Sequence, residues 1–381
     1  MLKEKINNFL SMASHILASI LSYLIPKKKN YWVFISFQYY GKYSGNNKAL
    51  FEYIHKHRNR LKINSDIIYI TNNRKTEEHI RNLKLPVIYN RFFWLYPLLR
   101  AEYIFTDGTR SFMGFGLFKF IQIWHGTGYK NIGLSYKGKK YSGIRHYFLQ
   151  QFFKKMILVC ATSEEDKLRK EIAFQNSNVR ITGSPRNDIF FEGIQNNNDL
   201  KKRILYAPTF RDTGGKFSAM RLDDWESLDA LMKEKDAIFF VKKHPSDYKL
   251  QVPTSFERII DITQQTEDIQ TLLASVDVLI TDYSGIASDF VITGKPIIFY
   301  TYDFEQYIQT NRSFYYDIEK VLPGPFVKKS TDLMNYLNDF SWFENEDYQA
   351  KYDKFRNTFH TYLDGNSSKR FLDEVIKIIV N

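Results

Sequence analysis

Residues 277–302 read DVLITDYSGIASDFVITGKPIIFYTY, and the way this stretch is punctuated decides the fold. An apolar run stops at a polar loop, Asp282-Tyr283-Ser284-Gly285, which opens a helical stretch. Gly294-Lys295-Pro296 ends that stretch, and a second apolar run begins at once. Apolar runs of four or more without alternation belong to strands covered on both faces, the environment of a parallel sheet. A strand, a helical crossover and a second strand make one βαβ unit.

The pattern repeats outward along the chain. Runs of the same kind are YWVFISF (31–37), DIIYIT (66–71), PVIYN (86–90), EYIFTD (102–107), FIQIWHG (120–126), ILVCATS (157–163) and VRITGSP (179–185). RILYAPTF (203–210), AIFFVKKHP (237–245) and RIIDIT (258–263) follow. Helical patterns such as NKALFEYIHKHRNRL and SEEDKLRKEIAF lie between them. Seven runs precede GSPRNDIFFEGIQNNNDLKKR (183–203), whose polar middle reads as a linker, and five follow it. The expected architecture is α/β, with two Rossmann-type domains, residues 31–185 and 186–381, whose parallel sheets face a central cleft. A chain of 381 residues is long enough for two cores.

Composition narrows the function. Lys and Arg number 54 against 42 Asp and Glu, a formal charge of +12, which suits anionic partners: nucleic acid, phosphorylated substrates or an acidic membrane surface. The basic residues are dispersed and no RNP, KH or zinc-finger pattern occurs, so nucleic acid is not expected. The lone cysteine, Cys160, excludes an intrachain disulfide and reads as a small buried residue in a reducing compartment. Residues 1–30 form a separate segment. On a helix, Phe9, Leu10, Ala13, Ile16, Leu17, Ile20, Leu21 and Leu24 make a broad apolar face. Ser11, His15, Ser19 and Ser22 recur on the other face, and Lys27-Lys28-Lys29 follow. A bilayer span needs roughly 20 mainly apolar residues. An amphipathic helix lying in the interface, with its lysines on anionic lipid, fits better; a helix packed on the body is the alternative.

Polar motifs stand at the ends of the strands, where ligands sit in open parallel sheets. They are WHGTG (124–128), TGSPRND (182–188), YAPTFRD (206–212), VKKHP (241–245) and TDYSGIASDF (281–290). Any one of them is ordinary turn chemistry; five on one rim read as a site. Ser284, Gly285 and the amides after them open a helix, which favours an anion, and Thr209, Arg211, Lys242 and Lys243 add donors and positive charge. No HExxH occurs and the carboxylates Asp107, Asp212, Asp282 and Asp289 are scattered, so no metal site is expected. GxSxG, GxxxxGK[ST] and GxGxxG are absent, which removes the serine-hydrolase, P-loop and simple dinucleotide readings.

The ordered series YSGNNKALFEYI, WHGTGYKNIG, GSPRNDIFF, YAPTFRD, KKHP, TDYSGIASDF, GKPIIFY, RSFYYDIE and PGP resembles the CDP-glycerol glycerophosphotransferases of teichoic acid and related capsule synthesis. The similarity runs from about Tyr31 to about Arg370. It implies a GT-B-like fold and transfer of glycerol phosphate from CDP-glycerol, with release of CMP, to a polyprenyl-diphosphate-linked acceptor. The work would be done peripherally at the cytoplasmic face of the membrane, with no bound cofactor or metal. His125 matches the family's histidine implicated as base, and His244 the second histidine near the donor's phosphates. Donor-side candidates are Thr209, Arg211, Asp212, Lys243, Thr281, Asp282, Ser284, Gly285 and Asp289; acceptor-side candidates are Gly126, Thr127, Lys130, Arg186 and Asp188. Three departures stand out: Gly128-Tyr129 where the family has Pro-Leu, Gly285 where a second serine is common, and Asn47 in place of a proline. CDP-ribitol as donor, and a GT-B glycosyltransferase acting on a nucleotide sugar, are the rival readings.

Overall fold

The computed structural model describes residues 2–38, 41–89, 95–135, 143–193, 201–209, 225–243, 252, 255–264, 268–310 and 314–380. The chain forms two compact units. The first comprises Met1–His125, Ile132–Asp188 and Asn366–Asn381; the second comprises Gly126–Asn131 and Ile189–Gly365.

Among the described residues, the first unit holds strands β1 (Tyr31–Ile35), β2 (Asp66–Thr71), β3 (Val87–Tyr89), β4 (Tyr103–Thr106), β5 (Phe120–Gln122), β6 (Met156–Ala161) and β7 (Val179–Ile181). They form one sheet in the order β3-β2-β1-β4-β5-β6-β7. The second unit holds β8 (Lys202–Tyr206), β9 (Ala237–Val241), β10 (Ile259–Asp261), β11 (Val278–Thr281), β12 (Ile297–Tyr300) and β13 (Phe326–Val327), in the order β10-β9-β8-β11-β12-β13. Every strand pairing in both sheets is parallel. Each run expected from the sequence is a strand; β13, only two residues long, is the one added. In both sheets the order reverses beside the first strand, between β1 and β4 and between β8 and β11, which is where such folds open a ligand crevice.

The unbroken apolar runs follow from burial on both faces. Val33 and Ile35 of β1 enter one core while Trp32 and Phe34 enter another on the opposite face of the sheet. In β11, Leu279 faces one core and Val278 and Ile280 the other. Successive side chains of a strand point to opposite faces, so a strand with cores on both sides is apolar at most of its positions.

Two segments depart from a single cut near residue 186. The C-terminal helix Ser367–Val380 returns to the first unit, where Phe371, Leu372 and Val375 join the core beside Phe34 and Phe51. Its first amides, Ser367 N and Ser368 N, donate to the Asp188 carboxylate at 2.8 Å each. Residues 126–131 belong to the second unit.

Helix α1 (Leu2–Leu21) turns its serine stripe inward and leaves part of its apolar face outward. His15, Ser19 and Ser22 are buried, whereas Ile16, Leu17, Ile20 and Leu24 are exposed, Leu24 by 74%. The serines face inward because the short 3-10 segment Ser111–Phe115 leaves backbone groups that need partners. Ser19 Oγ donates to Phe112 O at 2.8 Å, Leu117 N donates to Ser22 Oγ at 2.8 Å, and Tyr23 Oη donates to Phe115 O at 2.7 Å. Among the described residues, no helix is long and apolar enough to cross a membrane.

Burial, with the Arg110 guanidinium adding to it, holds the His15 pKa down to about 4 from its ordinary 6.5. The unfolded chain therefore binds a proton that the folded chain refuses. His15 leaves stability untouched above pH 6.5, and stability is lost as pH falls from there to about 4, by up to about 3 kcal/mol. The thermal midpoint of the protein is expected to drop across that window, and His15→Leu to flatten the drop. An equal slope in the variant would assign the proton to another group.

Candidate active site

In the first unit the site is built on the exit of β5. Gln122, buried, donates through Nε2 to Gly108 O at 2.8 Å and accepts from Trp124 N at 3.2 Å. Trp124 then takes a left-handed backbone, with φ +59°. A bulky side chain there costs on the order of 1–2 kcal/mol, so surrounding bonds must hold it. Asn46, in the first turn of α2 (Gly45–His57), does so: Nδ2 donates to Ile123 O at 3.2 Å and to Trp124 O at 2.9 Å. The Trp124 ring lies tilted against His125 with centroids 4.3 Å apart and packs edge-on against Phe174.

This turn presents His125. Its Nδ1 lies 2.7 Å from Asp107 O. A carbonyl only accepts, so Nδ1 carries the proton and, in the neutral imidazole, Nε2 keeps its lone pair. Arg186 Nη1 donates to His125 O at 2.7 Å. The Asp107 backbone that orients the ring is itself held by its carboxylate, which accepts from Ser36 Oγ at 2.7 Å, Phe37 N at 2.8 Å and Gln38 N at 3.0 Å. Burial pushes the Asp107 carboxyl up, and those three bonds pull against it.

In the second unit the loops after β8 and β11 meet. Asp282, fully buried, accepts on Oδ1 from Thr209 N at 2.9 Å and Tyr283 N at 2.5 Å. Thr281 Oγ1 donates to Ala207 O at 2.8 Å. These two side chains therefore hold loops, and Asp289, 1% exposed, is likewise buried. Ser284 and Gly285 stand at the loop's surface, before a helix of only five residues, Ile286–Phe290, whose dipole is too short to count for much. Lys243 pairs with Asp261 at 3.2 Å; burial opposes ionisation there, but the Thr263 bonds and the Lys243 ammonium hold the Asp261 carboxyl below its usual range. Arg211, Asp212 and His244 lie outside the described residues.

Three acceptor-side expectations fall in the second unit. Gly126, at φ +128°, starts the segment 126–131. Thr127 is buried, and its carbonyl accepts from Ser288 Oγ at 2.5 Å. Lys130 pairs with Phe314 in an antiparallel bridge and lies over the Tyr307 ring at 5.3 Å. Between them Tyr129, fully buried, donates its hydroxyl to Ser284 O at 2.5 Å, and Tyr315 N donates to Tyr129 O at 2.9 Å. Burial, with Asp282 nearby, keeps the Tyr129 phenol well above its ordinary pKa, so it remains a donor. A Cβ on Gly285 would lie 3.3 Å from Thr127 O and 3.9 Å from Gly128 Cα. The departures at 128–129 and at 285 are thus packed against each other. Of the remaining acceptor-side expectations, Arg186 sits beside His125, whereas Asp188 is occupied with the C-terminal helix. Asn46 and Ser288 carried no expected role, Asp107 was read as one of four scattered carboxylates and Tyr129 as part of a departure bearing on acceptor choice; a buried amide or hydroxyl next to a glycine-rich turn was the signal available.

A family model described as CDP-glycerol:poly(glycerophosphate) glycerophosphotransferase matches residues 17–377. The chain is 30% identical to a teichoic acid glycerol-phosphate transferase of Staphylococcus aureus (strain NCTC 8325 / PS 47), across 99% of this chain and 100% of that one. It is 28% identical to a teichoic acid poly(glycerol phosphate) polymerase of Bacillus spizizenii (strain ATCC 23059 / NRRL B-14472 / W23), across 93% of each. In fold it is similar to the wall teichoic acid polymerase TagF, with a TM-score of 0.77 at 23% identity over 98% of both chains. A family match over nearly the whole length gives one conclusion: the chain belongs to the CDP-glycerol:poly(glycerophosphate) glycerophosphotransferase family, enzymes that transfer glycerol phosphate from CDP-glycerol.

Proposed function

We propose that the chain transfers glycerol phosphate to a hydroxyl of a lipid-linked, teichoic-acid-type acceptor, with His125 as the base. The observation that carries this role is the bond between Nδ1 and Asp107 O, which leaves Nε2 as the basic nitrogen. The acceptor oxygen attacks the glycerol-bearing phosphorus of CDP-glycerol, and its proton passes to Nε2. The bond from that phosphorus to the bridging oxygen breaks, and the electron pair leaves with CMP. No covalent enzyme intermediate is required; orientation and charge stabilisation supply the rate. On the donor side, the Ser284 hydroxyl and the Lys243 ammonium suit the diphosphate, as do Arg211 and His244 by residue type. Helix α1 supports a peripheral place at the cytoplasmic face of the membrane: its exposed Ile16, Leu17, Ile20 and Leu24 precede Lys27, Lys28 and Lys29, an apolar face followed by positive charge for anionic lipid.

Offered CDP-glycerol, CDP-ribitol and a UDP-sugar with a lipid-linked acceptor, the purified protein is expected to release CMP from CDP-glycerol. His125→Ala should lower that rate by about 10²–10⁴-fold. UDP release alone would make it a glycosyltransferase, preference for CDP-ribitol would change the donor, and an active His125→Ala would remove the base.

Tyr129 gives a separate test of the donor loop. Its hydroxyl fixes the Ser284–Gly285 peptide from beneath, so Tyr129→Phe is expected to raise KM for CDP-glycerol about 5–10-fold, the worth of one hydrogen bond. The kcat should change less than about twofold. A fall in kcat at constant KM would place Tyr129 outside donor binding.

A further inference from the structure

We infer that Asn46 is a positioning residue for the catalytic base, a reading that rests on His125 having that role. Its carboxamide is 2% exposed and has both hydrogen-bonding ends in use. Nδ2 donates to Ile123 O and Trp124 O, at 3.2 and 2.9 Å. Oδ1 accepts from Ser184 Oγ at 2.9 Å and Arg186 N at 3.0 Å. A primary amide offers two donors and two acceptor sites, and all four are accounted for. One side chain at the start of α2 therefore pins the exit of β5 to the exit of β7.

The position it pins is the one that most needs pinning. Trp124 stands at φ +59° immediately before His125, and a return to an ordinary backbone would turn the imidazole away from Asp107 O. Asn46 grips the Trp124 carbonyl, and the backbone of Arg186, whose guanidinium grips the His125 carbonyl, is anchored on the same amide. Aspartate or leucine has nearly the shape of asparagine, yet neither supplies two N–H donors and two acceptor sites together. Asn46 acts through the turn, so its loss displaces the base without touching the donor.

The test uses the full chain with Asn46→Ala, Ser184→Ala and the double variant. Asn46→Ala is expected to lower kcat about 10²-fold with KM for CDP-glycerol unchanged, the effect of a base displaced by about an ångström. Ser184→Ala, which only loosens the amide, should lower kcat about 3–10-fold, and the double variant should be no slower than Asn46→Ala alone, because both act through one contact. Nitrogen-15 histidine spectra, with the His125 signal assigned by its loss in His125→Ala, should show Nδ1–H in the wild type and a mixture of tautomers in Asn46→Ala. That readout stands whether or not CDP-glycerol is the substrate; a wild type inert toward every CDP-alditol would sink the functional reading alone. An unchanged kcat, a KM that rises in step with falling thermal stability, multiplicative losses in the double variant, or an unchanged tautomer would overturn the inference. If Asn46→Ala does not fold, Ser184→Ala decides: a lower kcat at constant KM and melting temperature supports it, and an unchanged kcat overturns it.

Discussion

A buried carboxylate that must be satisfied by backbone amides stands at the centre of each unit. In the first it is Asp107, directly after β4, holding Phe37 N and Gln38 N at the exit of β1. In the second it is Asp282, directly after β11, holding Thr209 N at the exit of β8. Both follow a threonine at the strand's end, and both bridge the two strands between which the sheet order reverses. A carboxylate taken out of water without such donors costs several kcal/mol, so the loops cannot part from it cheaply. The candidate residues lie on these two clamps: His125 takes its tautomer from the Asp107 carbonyl, and Ser284 follows two residues after Asp282.

The places where this chain departs from its family's pattern are explained by packing. Gly285 lacks the Cβ that would press on the Thr127 carbonyl, and the segment that carries Thr127 continues into Gly128-Tyr129. Tyr129 then reaches under the loop to the Ser284 carbonyl. A Cβ at 285 would meet Thr127 O at 3.3 Å and Gly128 Cα at 3.9 Å, and Tyr129 ties the same loop through the Ser284 carbonyl, so the departures at 285 and 128–129 adjoin. Asn47, in place of the usual proline, donates its Nδ2 to Ile35 O at 3.0 Å, ending β1 as a hydrogen bond rather than a ring constraint.

Much of the fold was legible because its signals are local. Every run read as a strand is one, since a strand covered on both faces is apolar along most of its length, and glycine, proline and aspartate cluster where the runs end. The place of the polar motifs at strand ends was legible for the same reason. Their division of labour was not. Thr281, Asp282 and Asp188 carry functional-looking side chains, yet they hold the backbone, because a buried polar group is claimed first by the nearest unpaired amide or carbonyl. The serine stripe of α1 was legible as a face, but not its partner: an adjacent 3-10 segment whose backbone groups need hydrogen bonds draws it inward.

By itself the sequence determined the strands, their parallel sense and the two halves, and set polar motifs at strand ends, because hydrophobic period and turn chemistry are properties of neighbours along the chain. Tertiary structure alone decided that residues 126–131 and the C-terminal helix change units, that Asn46 rather than a nearer residue grips the Trp124 turn, and that Nδ1 of His125 carries the proton. Those outcomes rest on hydrogen bonds between residues as far as 180 positions apart, and no local pattern encodes which distant carbonyl a side chain will find.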